Sequence, residues 1–383
     1  MRIRVSRLAI LLIVLLGYSW QVADKKITLK TVSDGQQPAQ ACTYSQTLIT
    51  LGDTYANQNH PNKPKSFNPD NQFVISIVSN AECKETPVLI LDESTTHLAP
   101  NLIDRYYKRW GSPPVFDYKR IGYFWYISKT QVKEHSTWKL AVKPPNSQGS
   151  DLKILNGPFE FPARATNYEK SVKLAIVADM DITKVSRPTL KELTNLNRTR
   201  LDAIIHDGDM AYDINSDNGM RGDYFFNNMS LIDTKIPYLP IAGNHEYRDD
   251  TRLYQYRFRM SGVDDQDPHR NKWYSMVYKG VYMIFVDLDF VYETGPETKD
   301  TFFAWFKSDL ESLDTKKVRW KLYFTHRPFG CNELKYSDDC PQNMMTFRRF
   351  NALLRKYKVR QHQKRQKIQN SIFYFFLQIL TLS

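Results

Sequence analysis

No apolar run in this chain of 383 residues reaches the ~20 residues that a bilayer-spanning helix needs, so no segment reads as a membrane-spanning helix. The nine-residue stretch Leu8 to Leu16 follows Arg2, Arg4 and Arg7 and precedes the small residues Gly17, Ser19 and Ala23. That is the pattern of a secretory signal peptide over residues 1–23. Cysteine is scarce, with four in all. Cys42 and Cys83 fall in the amino-terminal half, Cys331 and Cys340 near the other end, and in an oxidising compartment pairing within each half is the most economical connectivity. Acidic residues are missing altogether from residues 348–367, which hold nine Lys or Arg. These nine and the three arginines at the start account for the whole net charge of +12. The body is therefore near neutral, and its charge gives no reason to expect a nucleic-acid partner. There is no internal repeat.

Long segments of helical period are absent from residues 24–168, where short β-type runs such as Phe73 to Val78, Pro87 to Leu91, Tyr123 to Ser128 and Thr137 to Val142 are separated by proline-rich joints. These predict a β-sandwich, with a linker from Gly157 to Lys170. From Ser171 the pattern changes to strand, helix, strand. Ser186-Arg187-Pro188 starts a helix running to Asn197, and Thr301 to Leu313 carries Phe302, Trp305, Phe306 and Leu310 at helical spacing, a core stripe rather than a ligand platform.

Four short blocks in this half begin where an apolar run stops. They are Ala178-Asp179-Met180-Asp181 after Leu174 to Ala178, Gly208-Asp209-Met210-Ala211-Tyr212 after Leu201 to Ile205, Gly243-Asn244-His245-Glu246 after Pro237 to Ala242, and Thr325-His326-Arg327-Pro328 after Trp320 to Thr325. Each side chain of ligand type therefore sits at a strand exit, and strand exits on one edge of a sheet converge. Carboxylates, an amide oxygen and imidazoles suit hard cations, and an Asp can bridge two ions about 3.5–4 Å apart. The glycines before Asp209 and Asn244 allow tight turns and close backbone approach. His206, at its strand end, reads as a satisfied buried histidine.

With Arg257-Phe258-Arg259-Met260, Trp273-Tyr274-Ser275 and Tyr282 to Asp287, these blocks resemble the purple acid phosphatases, within the calcineurin-like metallophosphoesterases, over roughly Lys173 to Val359. The resemblance implies a fibronectin-like β-sandwich (24–168) followed by a four-layer α/β/β/α catalytic domain (169–359). It implies Asp179, Asp209, Tyr212, Asn244 and His326 as metal ligands, with Asp209 bridging the two ions. Tyr212 would be the phenolate on Fe(3+), and the second ion would be divalent Zn, Mn or Fe. His245 would be the imidazole acting on the substrate phosphate. The implied reaction is hydrolysis of a phosphate monoester by a metal-activated water, in a secreted or lysosomal/vacuolar protein.

Two departures qualify the match. Asp181 stands where the family has Gly, either as an extra oxygen ligand or as a solvated loop carboxylate. The larger departure is a missing Gly-His-x-His block, which supplies one imidazole to each ion in the family. Instead residues 360–383 read as a basic and then apolar tail without strand alternation, and the expected catalytic domain is incomplete there. A retained intron, a frame shift or an alternative transcript end would give this pattern, and so would an evolved tail. His362 reads as a solvated surface residue. The alternative function is an inactive truncated form or pseudoenzyme. Glu246 could orient the His245 ring or be a solvated loop acid. Asn197-Arg198-Thr199 and Asn228-Met229-Ser230 are glycosylation acceptors if exposed.

Overall fold

The structure is a computed structural model. It describes residues 43–51, 71–80, 83–92, 97–110, 116–128, 130–133, 136–144, 151–162, 171–196, 201–247, 251–260, 269–314, 316, 318–327, 344–361 and 376–382. The chain divides into two compact units, Met1–Gln40, which lies outside the described residues, and Ala41–Ser383. The predicted signal segment falls in the first unit, and everything below belongs to the second.

The first eight strands are β1 (Tyr44–Leu51), β2 (Asn71–Ser79), β3 (Val88–Leu91), β4 (His97–Leu98), β5 (Leu102–Trp110), β6 (Phe116–Ser128), β7 (Thr137–Val142) and β8 (Lys153–Glu160). They form two antiparallel four-stranded sheets, in the orders β1-β2-β6-β5 and β4-β3-β7-β8. Alternating apolar residues from both, including Ile75, Ile77 and Trp125 from one and Leu89, Trp138 and Leu140 from the other, enter one buried cluster. The linker expected from Gly157 starts too early: Gly157 and Pro158 lie inside β8. The ladder with β7 shifts register beside them, which is how the strand accommodates a residue without a backbone N–H.

The second half runs β9 (Val172–Ala178), α1 (Arg187–Leu196), β10 (Ala203–Asp207), α2 (Met220–Asp233), β11 (Tyr238–Ile241), α3 (Arg252–Arg257), β12 (Trp273–Tyr278), β13 (Val281–Val286), α4 (Leu288–Glu293), α5 (Pro296–Glu311), β14 (Trp320–Phe324), α6 (Met344–Lys356), β15 (Arg360–Gln361) and β16 (Phe376–Leu382). Its sheets have the orders β11-β10-β9-β16 and β12-β13-β14-β15. β9, β10 and β11 are mutually parallel, so their carboxyl ends share one edge. The alternation of β13 shows the layering. Val281, Met283 and Phe285 join the cluster shared with the first sheet, while Tyr282, Ile284 and Val286 join a second cluster with Phe302 and Phe306 of α5 and Phe350 of α6.

The tail departs from expectation. Phe376–Leu382 forms the edge strand β16 and pairs antiparallel with the whole of β9, from Phe376 beside Ala178 to Leu382 beside Val172. Arg360–Gln361 runs parallel to β14. Strand formation here follows from an available sheet edge rather than from local alternation, since strands in covered sheets read as near-continuous apolar runs.

The two halves meet at a buried charge cluster. Asp223 of α2 accepts hydrogen bonds from Arg120 and Arg257, from the Tyr118 hydroxyl at 2.9 Å and from Gln46 Nε2 at 2.9 Å. Burial opposes the charged carboxylate, but Arg257 and Arg120 outweigh it and hold Asp223 below the usual carboxylate range.

Candidate metal centre

The four blocks meet at the shared edge. Asp179 leaves β9, Gly208 and Asp209 leave β10, Asn244 follows β11, and His326 comes from β14 of the other sheet. Asp179, Asp209 and His326 each offer a ligand atom, all within 4.8 Å of one another, an arrangement that could hold a metal ion. The Tyr212 hydroxyl donates to Asp179 Oδ1 at 3.1 Å, and Asn244 Oδ1 lies 3.2 Å from His326 Nε2. All five residues expected to bind metal therefore occupy one site.

The backbone is strained there. Asp179 (φ 52°), Asp209 (φ 52°), Tyr212 (φ 49°) and Asp213 (φ 72°) adopt the left-handed region, at a cost of order 1–3 kcal/mol each. Two glycines let the loops close. A Cβ at Gly208 would lie 2.6 Å from the His326 ring, and one at Gly243 would lie 2.3 Å from Asp209 Oδ1. Gly243→Ala is accordingly expected to displace Asp209 and abolish tight metal binding, read by metal analysis of the purified protein. Binding unchanged from the parent chain would count against the cradle.

Glu246 is neither a solvated acid nor a support for the His245 ring. It is fully buried, and its carboxyl accepts the backbone N–H groups of Asp209 (2.9 Å), Met210 (3.0 Å) and Gly243 (2.8 Å). One side chain thus ties the Asp209 loop to the Asn244 loop. Burial, then Asp209, push its carboxyl up to about 8. The His245 ring is held by Asp213, with Nδ1 2.9 Å from Oδ1, while the His245 N–H donates to Asp209 Oδ1 at 3.1 Å. Its ring lies 4.5 Å from that of Tyr212.

His326 Nδ1 lies 2.8 Å from the Asp207 carbonyl, which as an acceptor requires Nδ1 to carry the proton, and Nε2 lies 3.3 Å from Asp209 Oδ2. Burial works against the imidazolium, but Asp209 outweighs it and raises His326 to about 10. Tyr212 is shifted upward by burial and then by Asp209. An incoming cation would displace both protons. Two carboxylates, a phenol, an amide oxygen and an imidazole, crowded against glycines that exclude a Cβ, fit hard cations.

His206 is fully buried beside the Tyr238 hydroxyl and neutral, its pKa lowered to about 3 by burial. Asp181 is part-buried rather than solvated: Arg221 pairs with it, and its Oδ1 also accepts the Ile182 N–H at 2.7 Å. Cys83 is disulfide-bonded. Cys42, Cys331 and Cys340 lie outside the described residues, as do His362 and Asn197. Asn228 lies within α2, where its amide donates to the Tyr224 carbonyl at 2.8 Å. Sequence reasoning missed Asp213 and the real role of Glu246. The only available signal was position: Asp213 directly follows one block and Glu246 ends another.

Residues 172–360 match the family model described as calcineurin-like phosphoesterase. Acid phosphatase type 7 of Mus musculus is 28% identical over 190 residues, covering 48% of this chain and 42% of that protein. Acid phosphatase type 7 of Danio rerio is 32% identical over 146 residues, covering 36% and 32%. These matches thus span less than half the length of the relatives. A purple acid phosphatase isolated from yellow lupin (Lupinus luteus) seeds superposes with a TM-score of 0.59 at 16% identity, over 83% of this chain and 57% of that one, which shows a shared fold. Residues 172–360 thus form a calcineurin-like phosphoesterase domain, similar in sequence to the acid phosphatases of type 7 and in fold to a purple acid phosphatase.

Proposed function

We propose that this protein is a secreted acid phosphatase that hydrolyses phosphate monoesters at a binuclear centre of Fe(3+) and a divalent ion. The observation that carries the reading is the convergence of Asp179, Asp209 and His326 within 4.8 Å, with Tyr212 and Asn244 beside them. Asp179, Asp209 and Tyr212 would hold the ferric ion, and Asp209, Asn244 and His326 the second. Bound there, the ions would supply Lewis acidity and a water acidified towards the neutral range.

The protein's own groups do the rest. Asp213 fixes His245 through Nδ1, leaving Nε2 as the nitrogen that can donate a proton to the leaving oxygen of the ester. Glu246 holds the two loops in register, and His326 is oriented by the Asp207 carbonyl, a support outside the ligand set of the kind that tunes metal sites. The signal segment, Cys42–Cys83 and Cys331–Cys340 bridges, and glycans on Asn197 and Asn228 belong to the same secretory reading, as does a fibronectin-like assignment for the first two sheets. Among the described residues no helix is long and apolar enough to cross a membrane.

The full chain, purified from an oxidising host and loaded with iron and zinc, is expected to turn over an aryl phosphate at mildly acidic pH and to absorb visible light through charge transfer from Tyr212. Tyr212→Phe should remove the band. A band that survives the substitution would overturn the ligand assignment.

A second reading, an inactive form, draws on the tail. The sequence has no Gly-His-x-His block, and Arg360–Gln361 takes the place beside β14 with the basic segment following it. Two tightly held ions per chain together with turnover would exclude it.

A further inference from the structure

Arg221 is the second residue of α2, and it reaches both loops that leave β9 and β10. Its guanidinium pairs with Asp181, two residues after Asp179, and its Nε donates to the Ala211 carbonyl at 2.6 Å. The contact at Ala211 bears directly on Tyr212. The Ala211 carbonyl belongs to the peptide plane that includes the Tyr212 N–Cα bond, so anchoring that oxygen restrains rotation of the plane about this bond, where φ is +49°. The contact at Asp181 acts on the partner loop, where Asp179 is held at φ +52° and Asp181 closes its own turn onto the Ile182 N–H. Between these anchored points the Tyr212 hydroxyl meets Asp179 Oδ1 at 3.1 Å. Left-handed conformations of non-glycine residues persist only where their surroundings over-determine them.

The start of α2 is itself set close to the second loop. The Arg221 N–H bonds to the Ser216 carbonyl at 3.3 Å and the Gly222 N–H to the Ile214 carbonyl at 3.1 Å. A Cβ on Gly222 would lie 2.6 Å from that Ile214 oxygen, so the approach depends on glycine at this position. Arg221 and Asp181 are only partly exposed, with 22% and 15% of their side chains accessible. A planar guanidinium that holds two different acceptors through Nε and Nη2 fixes a geometry that a flexible ammonium does not.

We infer that Arg221 is a positioning residue, a clasp that joins the Asp179 loop to the Tyr212 loop through Asp181 and the Ala211 carbonyl and so sets the phenol against the first carboxylate. The inference rests on the metal-centre reading for its consequence in catalysis, but the clasp itself is a property of the metal-free chain. The test therefore has two arms, both on the full chain.

In the first arm, melting midpoints of the metal-free protein are compared for Arg221→Ala, Tyr212→Phe and the double variant. A clasp predicts that the double variant melts no lower than Arg221→Ala alone, because the phenol is already misplaced. Shifts that simply add would overturn the clasp, since independent sites are additive. In the second arm, ferric iron alone is titrated into the parent chain, Arg221→Ala, Arg221→Lys and Asp181→Asn. Arg221→Ala is expected to weaken binding roughly 10–100-fold, with Asp181→Asn, which keeps the Ala211 contact, falling between it and the parent and Arg221→Lys rescuing little. Unchanged affinity in Arg221→Ala would overturn the positioning role. A parent chain that takes up no iron would sink the metal-centre reading, and the melting cycle would still decide the clasp.

Discussion

Replacing Glu246 by alanine is expected to destabilise the fold by about 3 kcal/mol or more and to abolish metal retention. The carboxyl is completely buried and takes three backbone N–H groups, from Asp209, Met210 and Gly243. Each donor left unsatisfied in the interior costs about 1–3 kcal/mol. No rotation of the loops can recover all three, because Asp209 is already held in the left-handed region and Gly243 is pressed against its side chain. Equilibrium denaturation of the metal-free protein separates the two effects, and metal analysis of the folded fraction follows. Glu246→Gln should be milder, since it keeps one acceptor oxygen and sets an amide N–H₂ against a donor. If Glu246→Ala unfolds at the same denaturant concentration as the parent chain, the tie between the loops is not what holds them.

The second large effect is expected at Asp223. Its removal strands Arg120 and Arg257 in the interior, and breaking a buried pair by removing one partner typically costs about 3–5 kcal/mol. Asp223→Asn should therefore lower stability strongly at neutral pH. The pH dependence follows from the sign of the shift. The folded-state pKa of Asp223 is depressed by the two arginines once burial is overcome, so its contribution is fully present above the unfolded value of about 3.9. It is lost as pH falls through the lower folded value. The gap between the parent chain and Asp223→Asn should thus be constant from neutral to mildly acidic pH and close only below roughly pH 4. A phosphatase working in mild acid would keep this junction charged. Urea unfolding at several pH values tests it, and a gap that already closes near neutrality would contradict the assignment.

That the four blocks would meet was legible because each follows an apolar run that ends abruptly, and a strand exit is a local event. β10 stops at Asp207 and β14 at Phe324, so Asp209 and His326 could be placed without knowing what lies opposite. The supports were not legible. Glu246 acts on backbone N–H groups of a distant loop, and such a bond leaves no trace in residue type. The pairing of Asp181 with Arg221, far along the chain on α2, left no trace in the residues around Asp181. β16 was missed because its strand character comes from the open edge of β9 and not from any alternation of its own. The start of the linker was misplaced because Gly157 and Pro158 suggest a turn and instead lie within a strand.

The position of β9 bears on the order in which the molecule assembles. One neighbour, β10, follows it closely in the chain, whereas the other, β16, comes after every other described element. Pairings between distant segments form slowly, because the entropy of closing the intervening loop is lost before the contact is gained. The strand that delivers Asp179 therefore acquires its second partner late in folding. Until then one flank of β9 offers unpaired backbone groups to any other extended chain. Amide exchange followed during refolding should show the flank of β9 facing β10 protected before the flank facing β16.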